Sequence, residues 1–242
     1  PDVDGDGISN EDECNPTSGT MLINGGFESP IVPTGDPHTV FTSVGIAAYY
    51  YEDDVPGWQT TASDDLIEVW QSGFYNIPSH SGAQNGEINA TQDAALYQDL
   101  DTTPGNVMFW TFAHRGRLGT DTMSLQIGPV GGAYVEIGQF STDETAWQVY
   151  GGNYLVPAGQ TNTRFLYESV STSTGEPNYG NIVDTISFAV CDRDTDNDGL
   201  LDMYDLDSDA DGVPDSHEVP SGDPANHDTD GDGASDYIDT DD

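Results

Sequence analysis

The chain of 242 residues contains no lysine, and its only strong cations are Arg115, Arg117, Arg164 and Arg193. Against these four stand 44 aspartates and glutamates, a formal charge of -40. So acidic a surface repels nucleic acid and anionic membranes at long range, which excludes the nucleic-acid-binding classes. No run of about 18 apolar residues occurs, so membrane insertion through an apolar helix is not expected. Helical periodicity is missing from the long central section as well. There is no signal peptide, and the abrupt start at Pro1 is what an excised piece of a longer secreted chain would show, with other domains of that chain as expected neighbours.

What the chain has in abundance is aspartate in a fixed frame. Side-chain oxygens recur at Asp194, Asp196 and Asp198, followed by Gly199 and then Asp202 and Asp205. The same frame fits Asp207, Asp209, Asp211, Gly212, Asp215 and Glu218, and again Asp228, Asp230, Asp232, Gly233, Asp236 and Asp239. A fourth copy opens the chain with Asp2, Asp4, Asp6, Gly7, Asn10 and Glu13. Ca2+ takes six to eight hard oxygen ligands, and a short loop supplies them from positions 1, 3 and 5, the carbonyl of 7, position 9 and a carboxylate at 12. The position-7 carbonyls are those of Ile8, Leu200, Val213 and Ala234. Two copies close with Glu and two with Asp, whose shorter arm is less suited to bidentate closure. A disordered acidic tail is the plain alternative, but it would not keep glycine in register.

An EF-hand needs a helix on each side of such a loop. The copy ending at Asp205 is followed at once by the one starting at Asp207, which leaves no room for an exiting helix. The stretches "DTDNDGLLDMYDLDSDADGVPDSHE", "DTDGDGASDYIDTDD" and "DVDGDGISNEDEC" resemble bacterial thrombospondin type 3 repeats. That resemblance covers the chain ends and implies units with little apolar core that wrap around their ions. It also implies an extracellular location, secreted or on a cell surface, where calcium is millimolar.

Cys14 lies just after the first loop and Cys191 just before the second. A disulfide between them would staple the ends of everything in between; two free buried thiols are the alternative. The expected domains are then 1–14, a calcium repeat; 15–191, an inserted domain; and 192–242, further calcium repeats.

The middle reads as all-β. Apolar or alternating runs at 39–44, 66–70, 95–100, 106–113, 122–127, 134–140, 146–156, 163–169 and 184–190 are separated by Gly, Pro, Asn and Ser. Many short strands with turn signals between them predict a two-sheet sandwich, with Phe27, Trp58, Trp110, Phe112, Trp147 and Phe188 as core. Residues 35–38 and 171–180 read as loops. The segments "LINGGFESP" (22–30), "VPGW" (55–58) and "NIVDTISF" (181–188) resemble the opening and closing strands of galactose-binding-like, carbohydrate-binding jelly-roll modules. The resemblance implies a jelly-roll β-sandwich whose first and last strands pair, and a structural calcium at the matching Glu28 and Asp184. Two merely exposed acids are the alternative there.

Two segments gather candidate ligand groups. "HRGR" (114–117) follows the apolar strand "VMFWTFA", and alternation puts Arg115 and Arg117 on one face and His114 on the other, with Trp110 and Phe112. Arginines in so acidic a chain either pair with a carboxylate or offer a fork to a sugar hydroxyl or ligand carboxylate. The segment 67–90 contributes Trp70, His80, Glu87 and Asn89, a mix of aromatic, acid and amide suited to sugars. The expected function is therefore a calcium-stabilised, non-catalytic carbohydrate-binding module with a glycan as partner; the alternative is a structural adhesin or spacer without a sugar site. Catalysis has little support: Glu68 and Glu87 are the only loose candidates for a carboxylate pair, and no Ser-His-Asp or zinc signature occurs. His217 and His227 lie inside loops of hard oxygen donors, which suit calcium better than a transition metal.

Overall fold

The computed structural model describes residues 4–14, 20–32, 39–42 and 45–240. Asp2, Val44 and the loop expected at 35–38 lie outside the described residues, as does the side chain of Asn10. Twelve strands among the described residues are β1 Thr39–Thr42, β2 Gly45–Tyr51, β3 Gln59–Thr60, β4 Leu66–Gln71, β5 Gln84–Glu87 and β6 Ala95–Asp101, followed by β7 Val107–Arg115, β8 Asp121–Pro129, β9 Val135–Thr142, β10 Gln148–Leu155, β11 Asn162–Ser171 and β12 Ile182–Val190. They form an antiparallel two-sheet sandwich of jelly-roll class, with orders β1-β2-β4-β5-β12-β7-β10 and β3-β6-β11-β8-β9. The opening segment does meet the last strand: Met21 N–H donates to Phe188 O at 2.6 Å, and Ile186 N–H to Gly25 O at 2.9 Å.

The chain divides into two compact units. One is the sandwich, Met21–Asn106 with Trp110–Phe188; the other joins the two chain ends, up to Thr20 and from Ala189, with Val107–Phe109. Inside the sandwich, residues of β7, β9 and β11 form an aromatic core. Phe112 meets Tyr167 edge-on at 5.5 Å and Phe140 at 5.1 Å, while Phe27 stacks on Trp58 at 5.1 Å. Trp147 departs from the expected core set. It lies at the end of the β9–β10 connection, immediately before β10, where it is only partly buried.

The outer face of the larger sheet is covered rather than solvated. Ladder register sets Ala47 opposite Trp70 and Tyr49 opposite Glu68, and sets Glu68 opposite Glu87. Period-2 pleating puts these side chains on one face. The segment after β4 folds back over them, so that Phe74 and Ile77 pack with Ala47, Trp70 and Ile182 in a second small core. This is why β4 is buried at four consecutive positions, Ile67 to Trp70, instead of alternating.

Candidate functional site

Four loops of the end unit bring three carboxylates each to one point. Their oxygens lie within 4.8 Å of one another in Asp4, Asp6 and Glu13; in Asp194, Asp196 and Asp198; in Asp207, Asp209 and Asp211; and in Asp228, Asp230 and Asp232. The local backbone explains the convergence. In every loop the fifth-position aspartate accepts the N–H of the seventh residue: Ile8 to Asp6 at 2.7 Å, Leu200 to Asp198 at 2.8 Å, Val213 to Asp211 at 2.7 Å and Ala234 to Asp232 at 2.8 Å. The sixth residue is glycine at φ 105, 97, 98 and 106°, a conformation that a Cβ makes costly. A one-turn helix over residues 10–13, 202–204, 215–218 or 236–238 then closes each loop.

Three expected ligands also hold the loop backbone. Asp202 accepts the N–H and hydroxyl of Thr195 at 2.8 and 2.7 Å. Asp215 takes those of Ser208 at 2.8 and 2.7 Å, and Asp236 those of Thr229 at 2.7 and 3.0 Å. Both oxygens are engaged with the second loop residue, so the ninth position braces the loop and stands apart from the three converging carboxylates. Burial raises the Asp215 carboxyl to about 6, against the opposing Ser208 hydrogen bonds. Asp205, Glu218 and Asp239 stand at the loop ends as the frame requires, outside the three-carboxylate groups, whereas Glu13 joins its own.

The donor set fits a hard divalent cation. At a separation of 4.8 Å and an effective dielectric of about 20, each carboxylate pair repels by roughly 3 kcal/mol, less where the loop is solvated. Asp194 Oδ1 is buried with no hydrogen-bond partner. An oxygen-only cluster containing such an atom is suited to hold a metal ion.

The cysteines are joined, with Cα atoms 4.9 Å apart, and their disulfide packs with Val107 and Met203 inside the end unit. Ile8, Val219 and Tyr237 make that unit's other small apolar cluster. Arg193 pairs with Asp202 at 3.2 Å and donates to Tyr237 Oη at 3.2 Å.

Glu28 and Asp184, matched above to a structural calcium, are both held by one backbone turn. Asp184 Oδ2 accepts His80 and Ser81 N–H at 2.8 and 3.0 Å, and Glu28 Oε1 accepts Ala83 and Gln84 N–H at 2.7 and 3.0 Å. Burial chiefly, and the Glu28 charge in lesser part, lift the Asp184 carboxyl to about 6. These amides offset the two charges locally; Glu28 and Asp184 are not among the three-carboxylate groups of the described residues.

The expected ligand residues of the sandwich separate into three places. Trp70, Glu87 and Arg117 come together under the folded-back segment. Arg117 Nη1 lies 3.0 Å from Glu87 Oε1, and its guanidinium sits 4.9, 5.0 and 4.2 Å from the rings of Trp70, Tyr75 and Tyr179. Glu68 lies against Glu87, its carboxyl raised well above the usual range by burial and then by the Glu87 charge. Burial raises the Glu87 carboxyl as well, against the Arg117 charge that faces it. The two acids stand opposite each other in the ladder and are both buried, whereas glycoside hydrolysis requires a pair facing each other across a cleft open to the sugar.

Asn89 and His114 belong to a second place, a buried amide network. His114 Nε2 meets Asn181 Oδ1 at 3.1 Å, and Asn181 Nδ2 donates to Asn89 Oδ1 at 3.1 Å. Asn89 Nδ2 donates to Pro177 O at 3.1 Å, which pins the 171–181 connection. Burial drives the His114 imidazole down to about 4.

Arg115 and His80 mark the third place, the β9–β10 connection: Arg115 Nη2 donates to Glu144 O, and the His80 ring meets Trp147 edge-on at 5.9 Å. The expectation that Arg115 and Arg117 share a face is corrected here. β7 ends at Arg115, so strand alternation stops before Arg117, and Asp121 captures the Arg117 N–H at 2.7 Å and turns that residue inward.

No family model matches the chain, and no curated protein matches it. Several solved structures are similar in part to this chain. A xylan-binding domain of carbohydrate-binding family 22 is 19% identical, covering 59% of this chain and 95% of its own, with a TM-score of 0.44. The family 61 module TmCBM61, solved with β-1,4-galactotriose, is 13% identical over 71% of this chain and 98% of its own, at 0.44. The C-terminal family 22 module of Clostridium thermocellum Xyn10B is 20% identical over 59% and 93%, at 0.43. Likeness at this level concerns the fold alone and carries no site residue or ligand over to this chain.

Proposed function

We propose that the chain is a calcium-stabilised, non-catalytic saccharide-binding module of an extracellular protein, joined in life to other domains. The observation that carries the calcium part is the fourfold convergence of three carboxylates around a left-handed glycine. Glu28 and Asp184 remain a candidate fifth position on the strength of the motif resemblance. Its disulfide agrees with an oxidising compartment. No helix among the described residues is long and apolar enough to cross a membrane.

Saccharide recognition is supported by the carbohydrate-module motifs at 22–30, 55–58 and 181–188, and by a polar surface with hydroxyls, amides and partly exposed aromatics at hand. The direct test is a glycan array probed with the full chain in millimolar calcium. Reproducible binding to a saccharide class supports the reading, and a blank array across neutral and acidic glycans favours a spacer or adhesin segment.

A further inference from the structure

We propose that the cavity beside Trp147 is a subsite for one ring of a neutral saccharide, an assignment that rests on the saccharide-binding reading above and gives it a place. The cavity, about 250 Å³, is formed by the end of β9, the β9–β10 connection and the start of β10. Ser141, Thr142, Asp143, Thr145, Trp147 and Gln148 line it. Drug-sized sites occupy roughly 300–1,000 Å³, so this one is matched to a single ring.

Its aromatic wall is fixed before any ligand arrives. The Trp147 indole N–H donates to Pro78 O at 2.8 Å, one flank packs on the small core of Phe74 and Ile77, and the edge meets His80. A partly exposed, immobilised ring loses little entropy when it stacks on the C–H face of a sugar. The hydroxyl wall is equally set. Tyr150, whose ring packs 4.8 Å from Phe140, donates its hydroxyl to Ser141 O at 3.1 Å and meets Thr142 Oγ1 at 2.9 Å. Thr142 Oγ1 in turn meets the buried His114 Nδ1 at 3.0 Å. The turn between the walls is tied by Asp143 Oδ1, which accepts the N–H and hydroxyl of Thr145 at 2.8 and 2.6 Å. His80, His114 and Arg115 thus stand behind the cavity as positioning residues.

Charge chooses the class of ligand. Asp143 and Glu144 are exposed at the rim, and the neighbouring cation, Arg115, is engaged with the Glu144 carbonyl. An anionic sugar would meet like charge at close range, where salt screens least. A neutral pyranose offers hydroxyls to Gln148, Asp143 and Thr145 and an apolar face to Trp147.

The test uses the full chain in millimolar calcium, titrated calorimetrically with cellotetraose, xylotetraose, mannotetraose and trigalacturonate. Trp147→Ala is expected to weaken binding of the neutral ligand about tenfold. Gln148→Ala, at an exposed position outside the core, should weaken it about fivefold, and Trp147→Phe should retain part of the affinity. If Trp147→Ala does not fold, the other two variants decide. Neutral binding that Gln148→Ala and Trp147→Phe both leave unchanged overturns the subsite while the saccharide-binding reading stands. Trigalacturonate binding more tightly than every neutral ligand overturns the neutral assignment. Failure of all four ligands to bind at millimolar concentration overturns the subsite, and the glycan array then decides separately whether the saccharide-binding reading falls with it.

Discussion

His114 is neutral in the folded chain because burial of its ring outweighs the Asn181 hydrogen bond and the nearby Asp121 charge, both of which favour a proton. Between the ordinary value of 6.5 and about 4, the unfolded chain binds a proton that the folded chain refuses. Stability contributed by this residue is therefore complete above pH 6.5 and falls by about 3 kcal/mol as the pH drops to 4. Denaturant melts of wild type and His114→Gln from pH 7 to pH 4 should differ in slope, with the variant losing less; parallel slopes would contradict the buried neutral ring. Arg117 obeys the opposite logic, since its charge is what makes the Glu68–Glu87 contact tolerable. Arg117→Met strands a buried carboxylate and is expected to cost about 3–5 kcal/mol. Adding Glu87→Gln should recover part of it, and a single variant as stable as wild type would remove the ion pair from the account. The sequence foresaw both roles of an arginine in so acidic a chain, ion-pair partner or ligand donor. What it hid was burial: Trp70 and Trp147 each sit in a mixed polar run, and only the fold-back of Phe74 and Ile77 decides that the first is enclosed and the second half open.

The repeats were legible because their frame is local: carboxylates at alternate positions and glycine at the sixth fix the loop without reference to the rest of the chain. The brace made by Asp202, Asp215 and Asp236 was not, although Thr195, Ser208 and Thr229 sit regularly at the second position of the three C-terminal loops. A side-chain oxygen at the ninth position serves equally as ligand or as acceptor, and spacing alone does not choose. The fourth position of the loops carries its own signal. Gly5, Asn197 and Gly231 adopt φ of 83, 64 and 81°, residue types that tolerate it, whereas Ala210 is held at 57°. Ala210→Gly should raise the stability of that loop by about 0.5–1 kcal/mol, read as tighter metal binding or a higher melting point, and a loss would show that the Ala210 methyl is needed. Among the strands, β5 escaped notice because Gln84, Asn85, Gly86 and Glu87 have low β-propensity, yet all four are buried between β4 and β12. The missed β2, Gly45–Tyr51, begins with small residues that carry little alternation. β3 is a two-residue bridge below the length at which periodicity can be read.

At the scale of the whole chain, two kinds of stability are joined. The sandwich has an aromatic core and a buried polar network, whereas the end unit has two small apolar clusters, a disulfide and four carboxylate loops. In the chain-entropy picture, closing the 177-residue separation stabilises by about 5 kcal/mol, and the clustered carboxylates oppose it. The central claim is that the end unit is completed by calcium. Native mass spectrometry of the full chain, stripped with a chelator and then titrated with calcium, tests it most directly by counting ions. The account predicts at least four tightly held ions, one for each group of three carboxylates. A chain that remains ion-free at millimolar calcium, apart from adducts that sodium displaces equally, would contradict it.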